Sequence, residues 1–125
     1  MNENEIGNII VATAIRLHQE LGPGLLESVY EAILAKLLKD QGLDVKRQVP
    51  IPFEYEGMRF EEEFRADLVV EDKVIVELKS VEILNNAHKK QLLTYLKLTG
   101  KKLGYILNFG GALMKDGIVR SVNKL

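Results

Sequence analysis

No cysteine occurs among the 125 residues, which excludes disulfides, thiolate metal sites and a cysteine nucleophile, and suits a reducing cytoplasm. No apolar run approaches the ~18 residues of a membrane span. The amino end, Met1-Asn2-Glu3-Asn4-Glu5, also lacks the basic stretch of a secretory signal. A soluble cytoplasmic protein without a membrane partner is expected. Charge of one sign is not in surplus either: 17 basic and 18 acidic residues leave a net charge of −1. The electrostatics of the chain as a whole therefore do not announce a nucleic-acid binder, and any such binding must come from a local patch. No internal repeat, low-complexity segment or linker divides the sequence. At 46% hydrophobic residues, one domain over residues 1–125 is expected, with a modest but sufficient core.

What is present is a succession of two periodicities. Ile6, Ile9, Ile10, Ala14, Leu17 and Leu21 recur at helical spacing, and Gly22-Pro23-Gly24 ends that helix. A second helix is predicted over about 26–40, closed by Gly42. The period then becomes strand-like over Val45–Val49, Ile51–Tyr55 and Met58–Phe64, with a turn at Glu56-Gly57. Two more strands follow, around Glu71-Asp72-Lys73, then a third helix near 86–99, a strand at Leu103–Asn108 and a last one at Ile118–Val122. This order predicts an α+β or three-layer α/β domain with a mixed sheet, because the strand of Glu77, the crossover helix and the Leu103 strand form a βαβ unit.

The densest chemistry lies in Arg65-Ala66-Asp67-Leu68-Val69-Val70 and Val74-Ile75-Val76-Glu77-Leu78-Lys79. Side chains alternate across a strand, so Glu77 and Lys79 share one face while Val76 and Leu78 turn to a core. If a three-residue loop joins the strands, Val70 pairs with Val74 and Asp67 with Glu77. Directly paired residues have Cβ atoms about 4.5–5.5 Å apart. Two carboxylates that close repel unless a cation or a proton sits between them. The triplet Glu77-Leu78-Lys79 alone says little, since an acid-x-Lys triplet occurs by chance about once per hundred or so positions. Asp44-Val45-Lys46 and Glu71-Asp72-Lys73 are two further examples, but neither has an apolar β-branched strand around it, an aspartate on the preceding strand and a helix behind it.

Glu27 is the second candidate. On a helical wheel it falls between Leu34 and Leu38, at the edge of a stripe formed by Val29, Ile33 and Leu37. An acid leaning toward a core needs a partner. The alternative is a helix-terminal role, with Ser28-Val29-Tyr30-Glu31 as a capping box that leaves Glu27 just outside the helix. Gln91 and Tyr95 lie four apart on the third helix, with His88 one turn earlier on the same side. They could orient a water, a phosphate or the lysine, or simply form the wet border of an amphipathic helix. A lone histidine is usually structural or solvent-facing, and His88 is not assigned as a metal ligand. Lys90 and Lys97 share a helical face near Lys89, Lys101 and Lys102; such a stripe contacts phosphates or is a solvated surface. Arg65, Lys46, Arg47 and Arg59 could widen a positive rim.

Several separated motifs together carry a resemblance. Gly24-Leu25-Leu26-Glu27-Ser28-Val29-Tyr30 resembles the signature of the GxxExxY proteins, a group within the PD-(D/E)XK nuclease superfamily. The likeness continues through Gln48-Val49-Pro50-Ile51-Pro52, Phe64-Arg65-Ala66-Asp67-Leu68, Val76-Glu77-Leu78-Lys79, Gln91-Leu92-Leu93-Thr94-Tyr95 and Ile106-Leu107-Asn108-Phe109-Gly110. It implies a restriction-endonuclease-like core, a mixed four-stranded sheet flanked by helices in the order α-β-β-β-α-β, here with an extra amino-terminal helix and a β-hairpin.

The resemblance also assigns roles. Asp67 and Glu77, with the backbone carbonyl of Leu78, would hold Mg²⁺ or Mn²⁺. Lys79 would lower the pKa of the attacking water or stabilise charge at phosphorus. Glu27 would support the metal through a water or hold a second ion, and Gln91 would position Lys79 or the phosphate. Tyr30 and Tyr95 are expected to support the site; from their basic side chains, and apart from the resemblance, Arg65, Lys90 and Lys97 are expected to contact DNA, with RNA not excluded. The proline that often precedes the aspartate is replaced by Ala66, which removes no ligand. One such site cuts one strand, so paired cuts would need two copies, for which a C2 homodimer is the common solution. Two other readings stay open at this stage: a nucleic-acid-binding or assembly module with little turnover, and a protein-interaction domain in which the acids form an ion-pair network with Lys79 and Arg65.

Overall fold

The computed structural model describes residues 1–125. Three helices, α1 (Glu3–Leu21), α2 (Glu27–Asp40) and α3 (Asn86–Thr99), accompany strands β1 (Val45–Pro50), β2 (Phe53–Tyr55), β3 (Met58–Phe60), β4 (Arg65–Val70), β5 (Val74–Lys79), β6 (Leu103–Asn108) and β7 (Ile118–Val122). A 3₁₀ turn, Met114–Gly117, precedes β7. The main sheet runs β1-β4-β5-β6-β7, with β5 and β6 parallel and every other neighbour antiparallel. The mixed four-stranded core implied by the resemblance is β1-β4-β5-β6, and β7 widens it to five.

Apolar periodicity decides which helix covers which face. Ile6, Ile10, Ala14 and Leu17 of α1 and Tyr30, Leu34 and Leu38 of α2 are almost fully buried against Leu68, Val76, Leu78 and Leu107. Each large side chain buried this way contributes roughly 1.5–3 kcal/mol. On the opposite face Leu92 and Leu96 of α3 close over Val69, Ile75 and Ile106 in a smaller cluster. The result is three layers, and the α3 layer is the thinner one.

Sequence expectations need correction at β2 and β3 and along α2. The strands expected at Ile51–Tyr55 and Met58–Phe64 shrink to β2 and β3, which pair only with each other. Pro50 and Pro52 bracket Ile51 and lack the N–H groups that a continuous ladder needs, while Glu61, Glu62 and Glu63 form a bend before β4. Secondly, Ser28 and Glu31 do not form a capping box. Helix α2 starts at Glu27 itself, behind Leu26, with no side-chain cap. Glu31 is instead 5% exposed, and its Oε2 accepts from Arg47 Nε at 3.0 Å. The buried stripe of α2 is Tyr30, Leu34 and Leu38 rather than Val29, Ile33 and Leu37, so Glu27 continues the centre of that stripe, one turn beyond its end.

Candidate functional site

The β4–β5 hairpin has the register expected from a three-residue connection. Val70 pairs with Val74, Val69 with Ile75 and Leu68 with Val76, which brings Asp67 opposite Glu77 one step further on. The turn closes through Lys73 N–H donating to Val70 O at 3.0 Å, with φ of 52° at Glu71 and 56° at Asp72, the two left-handed residues of a type I′ turn. Both other acid-x-Lys triplets lie at this turn end of the hairpin, where Glu71 Oε2 accepts from Asp44 N–H at 2.8 Å. Asp67 and Glu77 stand at the opposite end.

Their side chains emerge on the α3 face, where the smaller apolar cluster runs out. An open cleft of about 320 Å³ lies there, lined by Glu27, Glu63, Phe64, Arg65, Asp67, Glu77, Lys79, His88, Gln91, Leu92, Tyr95 and Ile106. Five separate stretches of sequence thus supply one cleft. Glu27 comes from the start of α2, and its Oε2 accepts from Ser80 N–H at 3.3 Å. Gln91 Nε2 donates to Tyr95 Oη at 3.1 Å, as their spacing implied. The Tyr95 ring stacks on Phe64, with centroids 3.7 Å apart.

The electrostatics centre on the acid pair. Asp67 Oδ2 accepts from Leu78 N–H at 2.8 Å and Oδ1 from Gln48 Nε2 at 3.2 Å, so the aspartate is oriented by two donors. At Glu77, Oε1 is buried and no donor of the chain reaches that oxygen. Burial, the neighbouring Asp67 charge and proton sharing with Asp67 push its carboxyl up to about 9, against the opposing pull of Lys79. In the metal-free protein at neutral pH, the Glu77 carboxyl therefore keeps its proton. The Lys79 ammonium pairs with no carboxylate in the chain, and Arg65 donates through Nη1 to Gln48 O at 2.9 Å. An ion-pair network of Asp67 and Glu77 with Lys79 and Arg65 is thus absent.

Nowhere do three His, Asp or Glu side chains converge into a cage of their own. The two carboxylates with an orphaned oxygen nevertheless suit a hard divalent cation of the Mg²⁺ kind, which takes one or two carboxylates and completes its shell with water and substrate phosphate. The cleft's four acids against two cations also favour added positive charge.

Not every expected residue is here. Tyr30 lies outside the cleft, fully buried and stacked on Phe109 at 4.3 Å, with its hydroxyl donating to Gly22 O at 2.5 Å and accepting from Leu25 N–H at 3.2 Å. It holds the α1–α2 loop rather than the acid pair. Lys90 and Lys97 are exposed on α3 but do not line the cleft. Conversely, His88 does line it, half-buried, with Nδ1 buried and unpartnered. Its place one turn before Gln91 was the available signal, and the absence of a second ligand nearby in sequence masked it. Glu63, which has no periodicity to mark it, joins through the bend before β4.

No curated protein and no solved structure matches the chain. A family model does, over residues 4–121, from α1 through most of β7 and across every element that lines the cleft. The chain belongs to the PD-(D/E)XK nuclease superfamily.

Proposed function

We propose that this protein is a nuclease that hydrolyses phosphodiester bonds in DNA, with Mg²⁺ or Mn²⁺ as cofactor. The observation that carries the reading is the orphaned Oε1 of Glu77, buried beside a second carboxyl group. An unsatisfied buried polar atom costs about 1–3 kcal/mol, and a cation between the two acids removes that cost. Asp67 and Glu77, with the carbonyl of Leu78, are the residues that would hold it, and Glu27, at the start of α2, would support it. When bound, the ion supplies Lewis acidity toward the phosphate and favours deprotonation of the attacking water.

The chain's own groups do the rest. Lys79 has no internal partner, so its charge is free to stabilise the negative charge that develops at phosphorus or to hold the attacking water. Gln91, braced by Tyr95, offers its amide to the phosphate or to Lys79. Arg65 contributes positive charge at the rim, and Lys90 and Lys97 lie further along α3 for flanking phosphates. Cutting both strands of a duplex would take two copies, which a homodimer supplies.

The test is a panel of labelled single strands, duplexes, flaps and four-way junctions, with a matching RNA strand, incubated with and without Mn²⁺. Cleavage of at least one DNA by the parent is expected, with a loss of 100-fold or more in Glu77→Ala and Lys79→Ala, of the order usual for groups that stabilise transition-state charge. Equal cleavage by parent and variants, or none by the parent, would remove the proposal.

A further inference from the structure

Gln48 sits inside β1, yet its φ is 52°. A non-glycine residue pays about 1–2 kcal/mol for that left-handed backbone, and strain of this sort persists only where the surroundings over-determine it. The ladder with β4 breaks at the same place: Arg47 pairs with Leu68 and Val49 with Ala66, while Gln48 and Asp67 between them do not pair.

Three hydrogen bonds converge on this one residue. Its amide Nε2 donates to Glu31 Oε1 at 2.6 Å and to Asp67 Oδ1 at 3.2 Å, and its main-chain oxygen accepts from Arg65 Nη1 at 2.9 Å. Both side-chain partners are carboxylates, which only accept, so the amide nitrogen must face them and each of its two hydrogens has one acceptor. Glu31 in turn is buried and ion-paired to Arg47. Asp67 is thereby tied through Gln48 to a fixed point on α2, while Leu78 N–H holds its other oxygen.

We propose that Gln48 is a positioning residue for the cation site, its amide holding the Asp67 carboxylate in the orientation that faces Glu77. This rests on the reading of Asp67 and Glu77 as cation ligands, and extends it to a residue that touches neither cation nor substrate. With its left-handed backbone, Gln48 places the amide between Glu31 and Asp67. Partners that orient a metal ligand in this way typically change metal affinity or activity by about 10–100-fold when removed.

Two substitutions test it in the full-length chain. Gln48→Gly accepts the left-handed backbone and deletes the amide. Gln48→Asn also tolerates that backbone but carries an amide one methylene shorter. The readouts are the thermal shift as a function of Mn²⁺ concentration and, alongside it, the cleavage rate. Both variants are expected to melt cooperatively with half-saturating Mn²⁺ raised ~10–100-fold, and to recover most of their cleavage at saturating Mn²⁺. A cooperative melt with the parent's half-saturation in either variant overturns the role of Gln48 and leaves the cation site standing. A parent that shows no Mn²⁺ shift, or one equally present in Asp67→Ala, overturns both.

Discussion

Glu77 keeps its proton up to about pH 9 because it is buried beside Asp67, and the consequence reaches beyond the site. The folded, metal-free protein retains a proton that the unfolded chain releases near the ordinary value of 4.5. A raised native pKa of this kind stabilises the fold fully at low pH. The contribution is lost as pH rises from about 4.5 through about 9, at up to about 1.4 kcal/mol per pH unit. Melts in the presence of a chelator are therefore expected to show stability falling across this window, and Glu77→Gln, which cannot ionise, is expected to flatten the profile. Parallel profiles for parent and variant would contradict the assignment. The acid pair was readable in the sequence because a strand period of two and a three-residue loop fix which residues oppose each other. Gln48 was not, since no periodicity reports a positive φ inside a strand, and the capping alternative at Glu31 fails because a local pattern says nothing of a charge partner 16 positions away.

Helices and strands reach the site through clamps at their ends. Asn108, at the end of β6, accepts through Oδ1 from Val81 N–H at 3.0 Å and Gly110 N–H at 3.1 Å, and donates through Nδ2 to Val81 O at 2.9 Å. These bonds fix the chain leaving β5, so that Ser80 N–H meets Glu27 and Ser80 Oγ meets Leu25 O at 2.9 Å. A Cβ at Gly110 would collide with the Val81 backbone, so only glycine allows this close approach. Tyr30 does the corresponding work for α2 by bonding both sides of the preceding loop. Tyr30→Phe is expected to cost roughly 1–2 kcal/mol, read as a lower urea midpoint, while cleavage under native conditions stays within about twofold. A large loss of cleavage in a protein of unchanged stability would return Tyr30 to the site. The helices themselves were evident from apolar spacing, but α2's true buried face was not. Val29, Ile33 and Leu37 form as regular a stripe as Tyr30, Leu34 and Leu38, and only the sheet they meet decides between them.

Both faces of one sheet are covered, heavily by α1 and α2 and lightly by α3, and the chemistry sits where the lighter cover ends. Residues from α2, the bend before β4, the β4–β5 hairpin and α3 meet there, which is why separated motifs rather than one signature located it. At Asp67 and Glu77 the arrangement has an unmet requirement, positive charge. Calorimetric titration of Mn²⁺ into the metal-free protein near pH 7, in two buffers of different ionisation enthalpy, tests this most directly. Binding with release of about one proton is expected in the parent, since the Glu77 proton must leave before its carboxylate can ligate, and no binding is expected in Asp67→Ala. Absence of binding in the parent, or undiminished binding in Asp67→Ala, would contradict the reading of the acid pair as a cation site.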